Sequence, residues 1–223
     1  MQMSPIIISL KTASAAIALT FLLGLFVARW IVKIKSDKTR MILDGVLTLP
    51  LVLPPTVIGF LLLIVFGVNR PFGKFLVQFL GIKIVFSWTA TVIAAAVISF
   101  PLMYRSARGA FEQVDQNLIM AARTLGMSES KIFWRIIMPL ALPGVVGGGI
   151  LAFARGLGEF GATAMIAGNI ENKTRTLPLA IYSEVAAGNM QTASYYVMIV
   201  LIISFLVVVL INYFSIKERK YSK

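Results

Sequence analysis

The sequence predicts an all-α integral membrane protein with about five transmembrane helices. Three observations predict this class. Of the 223 residues, 58% are hydrophobic and only 13% are charged, which is typical of membrane proteins. Apolar runs long enough to cross a hydrocarbon core of about 30 Å recur along the chain. Basic residues cluster at the ends of these runs. We expect residues 1–223 to form one membrane domain.

The residue inventory excludes most enzyme classes. The chain has no cysteine and no histidine, so thiol nucleophiles, histidine acid–base chemistry and the usual zinc or haem sites are excluded. A net charge of +12 is also typical of nucleic-acid-binding proteins, but here the cations follow the predicted membrane borders. We therefore expect no catalytic residue, no metal site and no nucleic-acid partner.

The first predicted span covers residues 12–32 and is followed by the basic segment 33–40. By the positive-inside rule this segment is cytoplasmic, which places the N-terminus outside. The apolar run is too long for a signal peptide, and only Lys11 precedes it as a charge. Span one is therefore predicted to stay in the membrane.

The second span, about 43–67, contains the proline-rich run LPLVLPPT. Prolines break the helical hydrogen-bond ladder, and irregular backbone at membrane depth is tolerated only inside protein or beside a watery cavity. We expect a kinked helix that lies beside a transport pathway or serves only as a structural bend. The candidate pathway or gate residues here are Pro54, Pro55 and Thr56. The connection 68–83 is predicted outside and lacks the spacing of a phosphate-binding loop.

The third span, about 85–103, returns the chain to the cytoplasm, where the polar interruption 104–143 follows. Spacings of three and four predict one amphipathic helix that ends before Gly126. Ser128 is expected to cap a second short helix, which prolines at 139 and 143 would end. The interruption either binds a partner or is a solvated connector. The predicted apolar face of the first helix comprises Phe111, Val114, Leu118, Ala121 or Ala122, and Leu125.

The fourth span, about 144–168, carries small residues at every fourth position, which favours close approach of another helix. The helix-packing candidates are Gly144, Gly148, Ala152 and Gly156. Arg155 and Glu159 are charges four residues apart on one predicted helical face. They form either a structural pair or part of a cavity or gate, and Thr163 of the same span is a further pathway candidate.

The segment 171–192 is predicted outside, with a short interfacial helix that begins near Pro178 and ends at Gly188. Span five covers about 195–216 and leads to a basic cytoplasmic tail. Of the 21 Lys and Arg residues, 13 fall in the three cytoplasmic segments and six outside, which supports N-out, C-in topology. Five helices make a thin wall, so we expect a pathway between two copies, with the small residues of span four in part of that contact.

The cytoplasmic interruption carries a spaced motif. Met120-Ala121-Ala122, Gly126, Ile136 and Met138-Pro139 have the spacing of Glu-Ala-Ala-x3-Gly-x9-Ile-x-Leu-Pro. This pattern resembles the motif of permease subunits in ATP-binding-cassette importers. Met120 and Met138 replace the Glu and Leu of that motif, so no role of the Glu is carried over. Further runs resemble the molybdate branch of the family, namely LPLVLPPT, FSW, SFPLM, AARTLG, LAFARGLGEFGAT and TRTLPLAIY.

The resemblance implies a MetI-like, type I importer permease in the plasma membrane of a prokaryote. It implies a homodimer, two cytoplasmic ATPase copies that carry ATP and Mg, and an external oxyanion-binding protein, with no cofactor on this chain. The interruption would be a coupling helix that docks on the ATPase. The cargo would be molybdate, with tungstate or sulfate as alternatives in the same family. The implied coupling residues are Glu112, Asp115, Leu118, Ala121, Ala122, Arg123 and Gly126.

Three other classes are alternatives to this interpretation. An ATP-independent secondary anion transporter would need intramembrane charges to couple ions, and Arg155 and Glu159 are the candidates for that role. A membrane enzyme would need acids, bases or nucleophiles clustered at one interface, and the sequence has no such cluster. A partner-recruiting scaffold would use the same cytoplasmic loop, but it would not need prolines and charges at membrane depth.

Overall fold

The computed structural model of the chain describes residues 2–221, with the side chains at 211, 212 and 214–221 outside the description. This part of the chain is helical, which confirms the predicted fold class. The helices are α1 Ser4–Val32, α2 Asp37–Val52, α3 Pro55–Phe66, α4 Pro71–Leu80, α5 Trp88–Glu112, α6 Gln116–Thr124, α7 Glu129–Ile132, a π-helical turn Phe133–Ile137, α8 Met138–Leu157, α9 Gly161–Ala167, α10 Leu177–Ala186 and α11 Met190–Tyr221.

Four helical segments within the described residues are long and apolar enough to cross a membrane: α1, α5, the continuous segment Glu129–Leu157 and the Met190–Leu210 part of α11. Helices α2 and α3 make a fifth crossing if the bent pair is one span. The described helices are therefore those of a multi-pass membrane protein, with the five spans that the sequence predicts when the bent pair counts as one.

The second span is broken and not merely kinked, which corrects the prediction. Helices α2 and α3 meet at an angle of 110°. Leu53 adopts an extended backbone with ψ of 141°, because the ring of the following Pro54 disfavours the helical conformation. Pro55 then occupies the first turn of α3, where no N–H donor is needed.

The helices of spans three and four extend further into the interruption 104–143 than the sequence predicts. Helix α5 continues to Glu112 because Tyr104, Ala107 and Phe111 are buried along its inner face. The predicted single amphipathic helix is consequently divided, since Phe111 belongs to α5 and α6 begins at Gln116.

Ser128 caps α7 as predicted, with its hydroxyl accepting from the Lys131 N–H. The predicted stop at Pro139 and Pro143 is wrong, however. Pro139 lies in the first turn of α8, directly after the π-helical turn, and Pro143 lies inside α8. Residues 129–157 are therefore continuous helix.

Two segments between spans lie on the side that the sequence predicts to be outside. The connection 68–83 contains α4, a helix that the sequence analysis did not predict, which ends at Gly81 with φ of 65°. The predicted interfacial helix is present as α10, with Pro178 in its first turn and Gly188 at φ of 79° beyond its end. The predicted basic tail, Lys217, Arg219, Lys220 and Lys223, lies outside the described side chains.

Helix α5 lies at the centre of the bundle and packs against both α1 and α8, which also contact each other. On α1, a Cβ added to Gly24 would lie 2.7 Å from Met103 Cγ of α5. On α8, the glycine stripe faces α5, where Gly144 meets Ala110 and Gly148 meets Ser106. The sequence predicted that this stripe forms part of a contact between two copies of the chain. The structure corrects that prediction, because α5 of the same chain covers the stripe.

We predict that Gly148→Val lowers the thermal stability of the purified chain. A Cβ at Gly148 would collide with the Cβ of Ser106, and overpacking of this kind costs about 1–3 kcal/mol. Gly147→Val is the matched control, because a Cβ at Gly147 meets nothing within 4 Å. Equal melting temperatures of the two variants in detergent would contradict the packing of α8 on α5.

Candidate functional site

Helix α6 is held against the inner end of the bundle by two of its own side chains. Ile119 and Ala122 are buried and share one apolar cluster with Phe111, Val114 and Ile132. Burial of this face stabilises a nine-residue helix that would be marginal alone. These two side chains therefore join α6 to an apolar cluster that also includes residues of α5 and α7.

A neighbouring face of α6 is exposed and partly apolar, so the single face predicted from spacing is divided between buried and exposed residues. Leu118 is 47% exposed and Leu125 is 81% exposed, whereas Phe111 and Val114 of the same predicted face are buried. Met120 and Ala121 are exposed on the same short helix. Apolar side chains grouped on an exposed surface indicate a contact site for another protein.

Gly126 completes the end of α6 in a Schellman motif. Its N–H donates to the Arg123 carbonyl at 2.9 Å, and the N–H of Met127 donates to the Ala122 carbonyl at 3.1 Å. This geometry needs the left-handed backbone that Gly126 adopts, with φ of 74°. The predicted turn between two short helices is confirmed at this residue.

An ion pair fixes α7 beside α6. Arg123 donates from Nε to Glu129 Oε1 at 2.7 Å, and Asp115 caps α6 by accepting from the Asn117 N–H at 2.8 Å. The hydrogen bond and charge of Glu129 raise the pKa of the Arg123 guanidinium. The carboxylates at 115 and 129 are thus engaged within the loop.

A polar network joins α2 to α5 next to this loop, and the sequence analysis missed it. Asp44 accepts from the Tyr104 hydroxyl at 2.7 Å and pairs with Arg108. Glu112 pairs with Arg108 and with Arg40. Only the spacing of Arg108 and Glu112 was visible in the sequence as a possible pair. Glu112, a predicted coupling residue, is therefore engaged within the chain at the end of α5.

The π-helical turn connects the loop to α1. Phe133 packs edge-to-face on Phe111, with ring centroids 5.4 Å apart, and the guanidinium of Arg29 lies 4.0 Å from the centre of the Phe133 ring. Such cation–π contacts are favourable when water is excluded. No pattern in the sequence indicated this contact, because Arg29 and Phe133 are more than 100 positions apart.

At the outer half of the bundle, the two interrupted helices meet at their breaks. A Cβ on Gly161 would lie 3.0 Å from Pro55 Cβ and 3.2 Å from the Thr56 nitrogen. Gly59 of α3 is equally close to α9, since its added Cβ would lie 2.7 Å from Ala162 Cα. The sequence-predicted candidates of spans two and four thus converge, with Pro54 and Thr56 on the exposed side.

Glu159 lies in the break between α8 and α9 and binds both helices. Its Oε2 accepts from Arg155 at 2.8 Å, and its Oε1 accepts from the Ala162 N–H at 2.8 Å. A carboxylate at a helix N-terminus is favourable because the unpaired N–H groups carry partial positive charge. Glu159 is 2% exposed, whereas the Arg155 side chain is 34% exposed.

The prediction of one continuous helical face for this pair is corrected, because α8 ends at Leu157. The ion pair itself is present, and the two hydrogen bonds of Glu159 support the structural interpretation for that residue. Arg155 is accessible enough to face a cavity as well. Thr163 lies on α9, shortly after the break, and is buried at 1% exposure.

The sequence is similar to a family and to several characterised chains. Residues 20–221 match the family "Binding-protein-dependent transport system inner membrane component". The chain is 47% identical to the molybdenum transport system permease protein ModB of Escherichia coli K12, over 80% of this chain and 77% of that protein. It is 41% identical to the putative molybdenum transport system permease protein YvgM of Bacillus subtilis, over 97% and 93%.

Solved structures share the fold at low sequence identity. A chain of the MetNI methionine ABC transporter, in inward-facing conformations, superposes with a TM-score of 0.66 at 19% identity, over 94% of both chains. A chain of a bacterial ABC transporter for alginate import superposes with a TM-score of 0.72 at 13% identity, over 99% of this chain and 80% of the other.

We predict that Glu159→Ala lowers the melting temperature more than Arg155→Gln does. The first change leaves the buried Ala162 N–H without its acceptor, which costs about 1–3 kcal/mol, and removes the partner of Arg155. Arg155→Gln leaves the contact between Glu159 and α9 in place. A larger loss with Arg155→Gln, measured by thermal unfolding in detergent, would contradict the structural role of Glu159.

Proposed function

Because the chain belongs to the family of inner membrane components of binding-protein-dependent transport systems, we propose that it is the permease subunit of an ATP-driven molybdate importer. The support for molybdate is the name shared by relatives 41–47% identical to this chain over four fifths or more of its length. Tungstate and sulfate are the alternatives, since the run Gly158–Thr163 resembles those permeases as well.

The proposed mechanism rests on one observation, namely that α6 has one buried face and one exposed apolar face. One face is seated in the bundle by Ile119 and Ala122, and the other exposes Leu118 and Leu125. A helix anchored in this way can both contact an ATPase and transmit its movement. We assign Leu118, Ala121, Arg123, Leu125 and Gly126 to the ATPase contact and its geometry.

In this mechanism ATP and Mg are bound by two ATPase copies, and this chain supplies no nucleotide ligand. Closure of the ATPases draws the two α6 helices of a permease dimer together. Helix α6 lies against α7 and the π-helical turn that leads into α8, and its buried residues share an apolar cluster with Phe111 of α5. The displacement therefore passes to α5 and α8 as bodies, and the cavity between the copies changes from inward-facing to outward-facing. Hydrolysis of ATP then resets the dimer.

The converging breaks provide the wall of the pathway in this proposal. Pro54 and Thr56 are exposed where α3 meets α9, and the part-exposed Arg155 offers positive charge to a passing oxyanion. Glu159 limits that attraction, since it neutralises Arg155. A weakly attractive wall suits transport because the cargo has to leave, while an external binding protein supplies the selectivity.

We predict that Gly126→Val weakens co-purification of the ATPase with the permease. A β-branched residue in the left-handed conformation costs about 1–2 kcal/mol, which disrupts the end of α6. Gly126→Asn is the matched control, because Asn tolerates this conformation and the space around the position is open. Equal recovery of ATPase with both variants, from membranes with equal permease content, would contradict the role of this turn.

The assignment of the cargo is tested by uptake of labelled molybdate at trace concentration into cells that lack the permease gene and are complemented with this chain. We expect this chain to restore uptake, and we expect excess tungstate, but not excess sulfate, to block it. No uptake, or a block by sulfate alone, would overturn molybdate as the cargo. A complemented strain with Gly126→Val serves as a control for ATPase-dependent transport.

A further inference from the structure

A pocket of about 330 Å³ lies at the outer end of the bundle, away from α6 and from the helix breaks described above. It is bounded by α3, by the turn 67–70 and by the segment 83–86 that precedes α5. Small-molecule pockets span roughly 300–1,000 Å³, so this one suits a small ligand or a single headgroup. The segment 83–86 leads into the end of α5 opposite α6, which is the outer side in the predicted topology.

The pocket combines two cations with an amide. Arg70, Lys83 and Asn69 line it, and all three are exposed. Within the described residues, neither Arg70 nor Lys83 has an acidic partner. Two unpaired cations beside one cavity repel each other, and a bound anion relieves that repulsion. The positive-inside rule also disfavours Lys and Arg on the outer side of the membrane. The presence of two of them beside one pocket therefore requires an explanation.

The rest of the lining is apolar and is contributed by α3 and by the segment before α5. Phe60, Leu63, Ile64 and Val85 form this wall. The lining of the pocket therefore combines two cations with apolar side chains. A tetrahedral oxyanion suits the cations, since Arg70 offers a fork of N–H donors and Lys83 a compact positive charge. The apolar side chains additionally suit the hydrocarbon next to the phosphate of a lipid.

We propose that this pocket binds a tetrahedral oxyanion at the outer face of the protein, either free in solution or as the phosphate of a lipid headgroup. Arg70 and Lys83 bind the anion, and Asn69 donates a further hydrogen bond from its amide. The site is distinct from the pathway at Arg155. The inference uses only the outer position of the pocket and does not depend on transport, so a failed uptake assay would leave it standing.

The test measures how fast the Lys83 amine is acetylated in the purified full-length chain, with peptides quantified by mass spectrometry. Lys74 is the internal control, since it is exposed on α4 and does not line the pocket. In maltoside micelles, which contain no phosphate, molybdate is titrated against chloride at equal ionic strength so that charge screening is matched. In a second arm, nanodiscs of phosphatidylglycerol are compared with nanodiscs of a phosphate-free galactolipid.

Binding slows acetylation of Lys83 by the factor 1 + [L]/Kd, which is about threefold at a ligand concentration of twice Kd. We expect this protection at Lys83 and not at Lys74, and we expect Arg70→Gln to abolish it. Protection by molybdate in micelles identifies a free oxyanion, and protection only in phosphatidylglycerol identifies a lipid phosphate. Any of three results would overturn the proposal. These are no protection of Lys83 in either arm, equal protection of Lys74, and undiminished protection of Lys83 in a monodisperse Arg70→Gln variant.

Discussion

The close packing of α8 on α5 is the constraint on which the rest of the structure depends. Inside a bilayer the hydrophobic effect does not drive helices together, so association relies on close contact between backbones. Small residues provide that contact, with Gly156 facing Ala95 and Gly144 facing Ala110. Helix α1 packs against both α5 and α8. The contact between α5 and α8, the α5–α8 seam, therefore sets the positions of the inner loop and of the outer helix breaks.

This arrangement explains how two distant sites can act together. Helix α8 has 20 residues, so it separates the π-helical turn from the break at Glu159 by about 30 Å. At the inner end, Phe133 is held between Phe111 and Arg29. At the outer end, Glu159 binds the last turn of α8 and the first turn of α9. A displacement of α6 consequently reaches the breaks through packed helices and not through flexible linkers.

The sequence predicted features that depend on local chemistry. The spans, the turn at Gly126 and the cap at Ser128 follow from hydrophobic length, left-handed backbone and side-chain capping. Features that depend on tertiary contacts were not predictable. Helix α5 extends because neighbouring helices bury Phe111, and the pairing of Asp44 with Tyr104 joins positions 60 apart. The single apolar face predicted for residues 111–125 is divided in the structure, because one helical period was carried across the boundary between α5 and α6.

The most direct test of the central claim is a reversible cross-link across the seam. The chain has no cysteine, and a Cβ at Gly156 would lie 3.7 Å from Ala95 Cβ, close to the mean of about 3.8 Å in disulfides. Ala95→Cys combined with Gly156→Cys is oxidised in transport-competent vesicles, and ATP-driven molybdate uptake is measured before and after reduction. If α5 and α8 move as one body, the oxidised protein retains its uptake. Uptake that is lost on oxidation and recovered on reduction would contradict the account.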